Sequence, residues 1–503
     1  MDRKKKLQIN TSVSLLYRII TLLYGLVLPR LILLYFGSET NGLINSINNF
    51  LNIITFLDFG VGAVVEATLY KPLSENDSRK VNQIMTVAKK HFRKIAYVLI
   101  IYIFFLIIIF PRLTDISSLS IWSVFFLIVS MSISKFAQYY FGITNEILLN
   151  ADQKGYIQLL SEIVVIILNL TLIIALIVAG AHINQVIFFS SLIYLIRPIY
   201  LKWYTSQHYN IEIEEKVKSN PIPQLWNGVA QHVAYTVQNS LDTIILTIFS
   251  SLENVSIYSV YNIVTRGLNS IIHSLTNSLK PFFGNLLANN EEDLLNYYFD
   301  KIEWFIHTVI VLGFSICVVM IIPFVELYTS GVEDINYYAP LFSFLLVISQ
   351  AVYCIRIPYN YLIQSAGHFR QTQTSSIIEV VINLVVSLLF IHKFELVGVA
   401  LGTLTSMTYG TIYLVLYLRY NILFRSIKKF GKQIFVDIIT FIVIVIIGIK
   451  LTSGEANVML WVLNSVSLGI IGIMVIIIIN SLFYKKNTLY IVERIKRKFK
   501  TKF

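Results

Sequence analysis

The sequence has few of the residues, and none of the motifs, that build catalytic and metal centres. Its two cysteines, Cys317 and Cys354, lie inside apolar segments, which is typical of small hydrophobic core residues and not of a disulfide or a metal site. Neither the phosphate-binding motif G-x-x-x-x-G-K-[ST] nor the zinc motif H-E-x-x-H occurs. No polar segment between the apolar ones has room for an ATPase domain or a large catalytic loop. We therefore expect no enzymatic activity, no cofactor and no metal.

The chain is also poor in polar residues. Hydrophobic residues make up 56% of its 503 residues and its mean hydropathy is +0.70, whereas soluble globular proteins contain about 45–50% apolar residues. This composition predicts an all-α membrane protein with about fourteen transmembrane helices. We place them near residues 12–36, 41–70, 93–112, 118–144, 156–180, 183–204, 224–250, 253–285, 301–328, 336–364, 375–392, 396–420, 434–452 and 458–484. The basic start from Arg3 to Lys6 precedes a long apolar stretch without a cleavage site, which predicts a first transmembrane helix and not a signal peptide.

The positive charge of the chain falls mainly on one predicted side of the membrane. Its 40 Lys and Arg exceed its 28 Asp and Glu and give a net charge of +12. With both termini in the cytoplasm, only Arg112, Lys393 and Lys450 fall at outer ends or loops, as the positive-inside rule requires. The charge therefore predicts a multi-pass protein of the cytoplasmic membrane that contacts anionic lipid headgroups. Nucleic acid is not needed to explain the charge and is not expected as a partner.

The segment from Ser256 to Pro281 carries a polar stripe along one side of an apolar helix. At alternating steps of three and four residues the stripe contains Ser259, Asn262, Arg266, Asn269, His273, Thr276 and Lys280. Residues at this spacing share one face of a helix, and the other faces are rich in Ile, Val, Leu and Tyr. The pattern predicts a transmembrane helix that lines a hydrated cavity and meets lipid with its flanks.

A second stripe lies about 214 residues earlier in the chain. It contains Asn45, Asn48, Asn52, Thr55, Phe59, Gly62 and Glu66 at the same spacing. Asn145 and Asn360 mark another matched pair of segments, and each precedes an apolar run with an Asn-Leu pair. The recurrence predicts two pseudo-symmetric halves of six helices each. We expect an N-terminal half at 1–205, a cytoplasmic connection at 206–223, a C-terminal half at 224–420, two additional transmembrane helices at 434–484 and a basic cytoplasmic tail at 485–503.

Short motifs near the N-terminus resemble those of a transporter family. Pro29-Arg30, Phe36-Gly37 and Gly42-Leu43 follow the arginine, leucine-glycine and tyrosine-glycine-leucine pattern that opens polysaccharide transporters of the multidrug/oligosaccharidyl-lipid/polysaccharide exporter superfamily. Phe36 replaces the usual leucine, and Asn41 replaces the usual tyrosine. The stretch from Asp58 to Gly62 resembles the Asp-x-Gly-x-Gly element that ends the second helix in this branch, which includes O-antigen and capsule flippases.

The resemblance implies a flippase that works by alternating access. Its implied substrate is a polyprenyl-diphosphate-linked oligosaccharide, carried from the inner to the outer leaflet for assembly of a surface polysaccharide. Arg18, Arg266 and Arg356 are compatible with this substrate because a guanidinium forms charge-assisted hydrogen bonds with a diphosphate. The amides that suit sugar hydroxyls are Asn45, Asn48, Asn52, Gln238, Asn262 and Asn269.

Uphill transport by such a chain has to draw on an ion gradient or on downhill exchange, because there is no room for an ATPase domain. Asp242 and His273 are the candidates for coupling to protons or sodium ions. A carboxylate in the middle of a span is costly unless it is paired or hydrated, and histidine titrates near pH 6.5. The alternatives are a structural ion pair of Asp242 with Arg266 and a neutral, hydrogen-bonded His273.

Other functions fit parts of this pattern. Multidrug efflux, within the same superfamily, would favour a smaller, more acidic and more aromatic cavity than these asparagine-rich stripes provide. Flipping of the peptidoglycan lipid precursor is compatible with the same residues. A membrane glycan polymerase or ligase is an alternative from another class, but such enzymes carry a large external loop with catalytic Arg or His. Every external loop predicted here is short, which disfavours this alternative.

Overall fold

Every regular element in the described part of the protein is helical. The computed structural model describes residues 3–58, 61–114, 116, 119–209, 229–452 and 457–485. The helices are α1 (Arg3–Asn52), α2 (Val61–Ser74), α3 (Ser78–Leu113), α4 (Ile121–Ala137), α5 (Ile143–Ala151), α6 (Gly155–Val178), α7 (Ile183–Ile193), α8 (Ile196–His208), α9 (Val229–Phe249), α10 (Leu252–Thr276), α11 (Leu279–Ala288), α12 (Glu292–Tyr328), α13 (Pro340–Ile355), α14 (Ile357–Ser365), α15 (Phe369–Phe394), α16 (Leu396–Asn421), α17 (Ile427–Leu451) and α18 (Val458–Phe483). This confirms the predicted all-α fold.

The chain divides into two compact units, residues 1–257 and residues 258–503. The first unit contains α1 to α9 and the first residues of α10, and the second contains the rest of α10 and α11 to α18. The predicted connection at 206–223 and the predicted basic tail at 485–503 lie almost entirely outside the described residues. The division into two homologous six-helix halves stays a prediction.

Eleven helical segments of the described chain are long and apolar enough to cross a membrane. They confirm the prediction of a multi-pass membrane protein. The prediction gave three more spans, near 41–70, 224–250 and 253–285. The last of these corresponds to α10, which is not among the eleven because its polar stripe lowers its hydropathy. The stripe therefore distinguishes α10 from these eleven apolar segments.

The first two predicted spans are joined in one long helix with a kink. Gly37 within α1 has a φ of 80° and a ψ of 173°, a backbone conformation that a residue with a Cβ rarely adopts. After α1 a 3₁₀ segment, Ile53–Asp58, interrupts the second predicted span before α2 begins at Val61. The β-branched residues of this segment have low helix propensity. The second stripe is consequently divided between α1, the 3₁₀ segment and α2.

Two prolines interrupt predicted spans of the second unit. The ring of a proline clashes with the carbonyl of the residue four positions earlier. Pro358 coincides with such a break, because α13 ends at Ile355 and α14 begins at Ile357. The predicted span at 253–285 is also broken, since α10 ends at Thr276 and α11, which contains Pro281, starts at Leu279. Lys280, the last member of the predicted stripe, therefore belongs to a separate helix.

Each unit has its own apolar core. In the first unit, Leu43 and Leu51 of α1 are fully buried in one cluster with Phe92 and Phe110 of α3. In the second unit, α17 and α18 pack on α12 through a cluster that includes Ile444 and Leu468. Lipid is as apolar as these side chains, so the cores are stabilised by van der Waals packing between helices and by interhelical hydrogen bonds.

Candidate functional site

The polar stripe of α10 begins among buried residues and becomes exposed along the helix. Asn262 is buried, and its Oδ1 accepts a hydrogen bond from the hydroxyl of Thr265 at 3.1 Å. One turn later Arg266 is exposed, and the structure records no ion pair for it among the described residues. Asn269 and His273 are half-buried on the same face. The stripe therefore presents a guanidinium between two amide side chains.

The next part of the stripe is held by α13 and α14. Asn269 donates a hydrogen bond from Nδ2 to Oε1 of Gln350 at 2.6 Å, and its Oδ1 lies 3.0 Å from Sγ of Cys354. The imidazole of His273 lies between two phenols, with Nδ1 at 3.4 Å from the hydroxyl of Tyr361 and Nε2 at 3.4 Å from that of Tyr353. These contacts set the orientation of both stripe residues.

Arg356 lies at the break between α13 and α14 and forms a buried ion pair. Its Nη1 lies 2.5 Å from Oε1 of Glu379 in α15, and its guanidinium lies 4.8 Å from the ring centroid of Tyr353. A Cβ added at Gly410 of α16 would lie 2.6 Å from Nη1 of Arg356, so only glycine allows this close approach. Removal of one partner from a buried pair costs about 3–5 kcal/mol because the other charge is left uncompensated.

In the first unit the asparagines of α1 form a ladder along one side of the helix. Asn45 donates to the backbone carbonyl of Asn41 at 2.8 Å, and Asn49 donates to that of Asn45 at 2.9 Å. The side chain of Asn41 also donates to the hydroxyl of Ser256 at 2.8 Å, where α1 meets the start of α10. Asn48 is half-buried. The amides of α1 thus run from the buried Asn41 to the half-buried Asn45, Asn48 and Asn49.

Asn52, the last residue of α1, pairs with a lysine of α4. The Nζ of Lys135 donates to Oδ1 of Asn52 at 2.8 Å, and both side chains are half-buried. Lys135 lies just before a π-helical turn at Gln138–Gly142. Such turns often occur at functional sites. The structure therefore brings a cation to Asn52 of the second stripe, where the sequence pattern alone pointed to neutral amides.

A half-buried ion-pair cluster lies among α5, α6 and α8. Arg197 of α8 pairs with Glu146 of α5 at 2.9 Å and also contacts Glu162 of α6. Gln138 joins the cluster, donating to Glu146 at 2.7 Å and accepting from Arg197 at 3.3 Å. Arg197 is far from both glutamates in sequence, and no pattern in the sequence identified it as their partner. The only available signal was one arginine inside an apolar segment.

Three predicted site residues lie apart from these contacts. Arg18 is exposed on α1, and Asp242 is buried in α9 at 4% relative exposure. The side chain of Gln238 lies outside the described part of the chain. In the described residues no group of three His, Cys, Asp or Glu could hold a metal ion. The binding roles predicted for Arg18 and Gln238 and the coupling role predicted for Asp242 stay predictions.

Comparisons with known proteins find similarity in structure and not in sequence. No protein-family model matches the chain, and a comparison with curated proteins finds no significant match. Among solved structures, one described as the lipid II flippase MurJ in an inward closed conformation matches with a TM-score of 0.72 and 15% identity. This match covers 94% of the chain and 98% of the other protein.

Two multidrug resistance MATE transporters of the MOP superfamily also match. The inward-facing one has a TM-score of 0.58 at 11% identity, covering 81% of this chain and 94% of its own. The outward-facing one has a TM-score of 0.56 at 14% identity, covering 84% and 96%. Similarity at this level of identity shows the fold alone. The chain therefore has the fold of these solved structures.

Proposed function

We propose that this chain is a flippase of the cytoplasmic membrane that moves a polyprenyl-diphosphate-linked oligosaccharide to the outer leaflet for surface polysaccharide assembly. The observation that carries the proposal is the position of Arg266 on α10. An exposed guanidinium without an ion-pair partner among the described residues is expensive in an apolar helix, so it needs a water-filled or anionic environment. A diphosphate provides such a partner through two charge-assisted hydrogen bonds.

The neighbours of Arg266 suit the sugar part of such a substrate. Asn262 lies one turn before it and Asn269 about one turn after it, and both carry amides that donate and accept hydrogen bonds. In the first unit Asn45 and Asn48 present the same chemistry on a half-buried face of α1. Sugar hydroxyls need many neutral donors and acceptors, and a hydrophobic drug does not. The asparagines therefore favour a glycan over multidrug efflux.

Arg356 has a supporting role in this proposal. One of its nitrogens is held by Glu379, which neutralises most of its charge. Its remaining N–H groups can still orient a phosphate oxygen, since a guanidinium has five donors. Arg18, exposed on α1, is proposed as a further phosphate contact.

Alternating access is the proposed mechanism. The two MATE transporters with this fold are described in inward-facing and outward-facing conformations. We infer that this chain uses the same pair of states, with the two predicted halves rocking about a site near the middle of the membrane. The predicted coupling ion is a proton or sodium. Both termini are proposed to be cytoplasmic.

Flipping of the peptidoglycan lipid precursor is the second candidate. The observation in its favour is the fold comparison, in which a lipid II flippase matches over 94% of this chain. Both candidates need a phosphate-binding cation such as Arg266. They differ in the glycan, and a substrate competition experiment separates them.

The test replaces Arg266 in cells that depend on this chain for surface polysaccharide. Arg266→Ala should lower polymer output by about 10- to 100-fold at an unchanged protein level, because a hydrogen bond to a charged group contributes about 1.5–3 kcal/mol. Arg266→Lys should restore part of the output, since it keeps the charge but not the bidentate geometry. Arg370→Ala is the matched control, because Arg370 is an exposed arginine at the start of α15 and is not a member of the stripe.

Full polymer output from Arg266→Ala would refute the assignment of this residue. A matched assay in proteoliposomes uses two fluorescent probes, a polyprenyl-diphosphate-linked oligosaccharide and the peptidoglycan lipid precursor. Preferential flipping of the first supports the main proposal, and preferential flipping of the second supports the alternative. If neither probe is flipped by the wild type, the proposed function is wrong.

A further inference from the structure

A largely buried network of polar and ionisable side chains lies along the N-terminal half of α12, outside the stripe residues. It joins α12 to α14 and α17, all within the second unit. The network consists of Asp300, Glu303, His307, Tyr359, Arg425, Lys429, Gln433 and Asp437. None of these residues is needed by the proposed substrate site. Burial of a charged group is costly unless the group is paired, so the way these charges are paired needs an explanation.

At the centre of the network is a histidine paired with an aspartate. His307 is fully buried, and its Nδ1 lies 2.6 Å from Oδ2 of Asp437 in α17. Gln433 donates to the other carboxylate oxygen at 2.8 Å. A carboxylate can only accept, so Nδ1 of His307 carries the hydrogen. The atom that gains or loses a proton is therefore Nε2, which is buried without a hydrogen-bond partner among the described residues.

One turn before His307, both carboxylate oxygens of Glu303 accept hydrogen bonds. Its Oε2 accepts a hydrogen bond from Arg425 at 2.6 Å, and its Oε1 accepts one from the hydroxyl of Tyr359. Arg425 also lies 3.3 Å from Asp300, which pairs with Lys429 at 2.6 Å. The side chains of Asp300 and Lys429 are 38% and 55% exposed. This end of the network therefore reaches the surface of the unit.

The charges of the network do not balance unless one proton is added. Asp300 and Lys429 cancel each other at the exposed end. In the buried part, Glu303 and Asp437 are two anions against the single cation Arg425. Protonation of His307 brings the buried part to neutrality, and loss of that proton leaves one uncompensated carboxylate. In a low-dielectric interior the free-energy difference between the neutral and the uncompensated state is large.

We propose that His307 and Asp437 form a proton-binding site through which a proton gradient drives transport by this chain. The proposal rests on the proposed function for its link to transport, while the site itself follows from the network. The ionisable groups facing His307 in the described residues are Asp437 of α17, Glu303 of its own helix, Tyr359 of α14 and Arg425. Tyr484, which follows α18, interacts electrostatically with Asp437 and Glu303.

The site connects proton binding to the packing of helices. Asp437 belongs to α17, which packs with α18 against α12. With the proton bound, an ion pair between His307 and Asp437 holds α17 on α12. With the proton released, the uncompensated carboxylate favours separation of the two helices and entry of water. The proton is exchanged with water at Nε2, and no other bond is made or broken.

The first experiment measures helix separation without any substrate. Nitroxide labels are placed on the full chain in nanodiscs at Phe305→Cys of α12 and Ile438→Cys of α17, both exposed, and the native cysteines are buried. The distance distribution of the otherwise unchanged chain should widen as the pH is raised. His307→Gln should show the wide distribution at every pH, since its buried charge is never balanced. Asp437→Asn should show the narrow distance distribution at every pH, since it removes the carboxylate whose charge the proton balances.

The matched control for this experiment is His208→Gln, because His208 is exposed at the end of α8. The labelled chain with His208→Gln should show the same pH response as the labelled chain without it. A distribution that does not change with pH, or that still changes in both His307→Gln and Asp437→Asn, would overturn the proton site. If either single variant fails to fold, the double variant His307→Gln/Asp437→Asn replaces it, and its distribution should not depend on pH.

The second experiment measures transport in proteoliposomes under an imposed pH gradient with the membrane potential clamped. The probe is a fluorescent polyprenyl-diphosphate-linked oligosaccharide, and the receiving side is acidic. For one proton per substrate, each unit of gradient should change the accumulation ratio by up to about tenfold. His307→Gln and Asp437→Asn should flip the probe downhill without responding to the gradient, and His208→Gln should respond like the wild type.

The outcomes separate this inference from the proposed function. If the wild type flips the probe without a response to the gradient, coupling through this site is wrong and the flippase proposal stands. The same holds if His307→Gln keeps the wild-type response. If the wild type flips nothing, the proposed function fails, and the distance measurement alone decides whether the proton site exists.

Discussion

At the scale of single residues, the buried ion pair of Arg356 and Glu379 depends on a glycine that touches both partners. A Cβ at position 410 would lie 2.6 Å from Nη1 of Arg356 and 2.6 Å from Oε2 of Glu379. Such contacts are far inside van der Waals distance, so any larger residue has to displace the pair. The identity of residue 410 therefore controls where this guanidinium lies.

We expect Gly410→Ala to destabilise the protein by about 1–3 kcal/mol, the usual cost of overpacking. The measurement is denaturant unfolding of the purified chain in detergent. Gly431→Ala is the matched control, because a Cβ there meets nothing within 4 Å, and it should be neutral or stabilising by up to about 1 kcal/mol. Equal effects of the two substitutions would contradict the role assigned to position 410.

At the scale of helices, a polar cluster ties α1 to the turn between α5 and α6. Asp152 lies in this turn, 2.7 Å from Nζ of Lys154 and 3.5 Å from Nζ of Lys6 at the start of α1. Its Oδ2 also accepts a hydrogen bond from the hydroxyl of Tyr209, after α8, at 2.5 Å. Four helix ends are thus joined through one carboxylate. Lys6 and Asp152 are far apart in sequence, so only the fold reveals this contact.

The pKa of Asp152 sets the pH at which this cluster fails. Partial burial raises the pKa of Asp152, but the hydrogen bonds from Lys154 and Tyr209 and the charges of Lys154 and Lys6 outweigh it and hold the pKa below its usual value. A carboxylate with a lowered pKa in the folded state stabilises the fold above its ordinary pKa, near 4. That contribution is lost as the pH falls further.

We therefore expect the wild type to lose stability relative to Asp152→Asn as the pH drops below about 4. Near pH 7 the wild type should be more stable by about 1 kcal/mol, since partly exposed ion pairs contribute little. Thermal unfolding of both proteins between pH 3 and 7 measures the stability difference near neutral pH and its loss at low pH. Asp293→Asn, at an exposed position in the first turn of α12, is the control. A constant difference between wild type and Asp152→Asn at all pH values would contradict the assignment.

At the scale of the whole molecule, the distribution of basic residues predicts how the chain lies in the membrane. Eleven apolar segments in the described chain are fit to span it. The end of α15 has one lysine, Lys393, on the predicted outer side, whereas the end of α8 is predicted to be cytoplasmic. Both ends are exposed in the structure.

We expect a membrane-impermeant maleimide to label Lys393→Cys in intact cells, and to label Gln207→Cys only after the cells are made permeable. Both positions are exposed, and the two native cysteines are buried, so the background should be low. A chain without introduced cysteines is the control. Labelling of Gln207→Cys from outside would reverse the predicted orientation.

Several features were predictable because they depend on neighbours in sequence. The length of the apolar runs predicts the membrane spans. Spacing at helical period predicts the stripe with Asn262, Arg266 and Asn269. The ring of Pro358 explains the break after α13. Boundaries were less predictable. The kink at Gly37 depends on a left-handed backbone conformation, and many glycines in the chain lie in regular helix, so the residue type alone does not locate it.

The sequence by itself determined the membrane class, the helical fold and the helix face on which the asparagines of α10 lie, because periodicity and hydropathy are local properties. Only the tertiary structure decided which charges meet. Arg197 pairs with Glu146 and Glu162, and His307 pairs with Asp437, 130 residues away. The reason is physical. A buried charge requires a partner, but the identity of that partner depends on how the helices pack. Helix packing brings together residues that are not related by any regular spacing in the sequence.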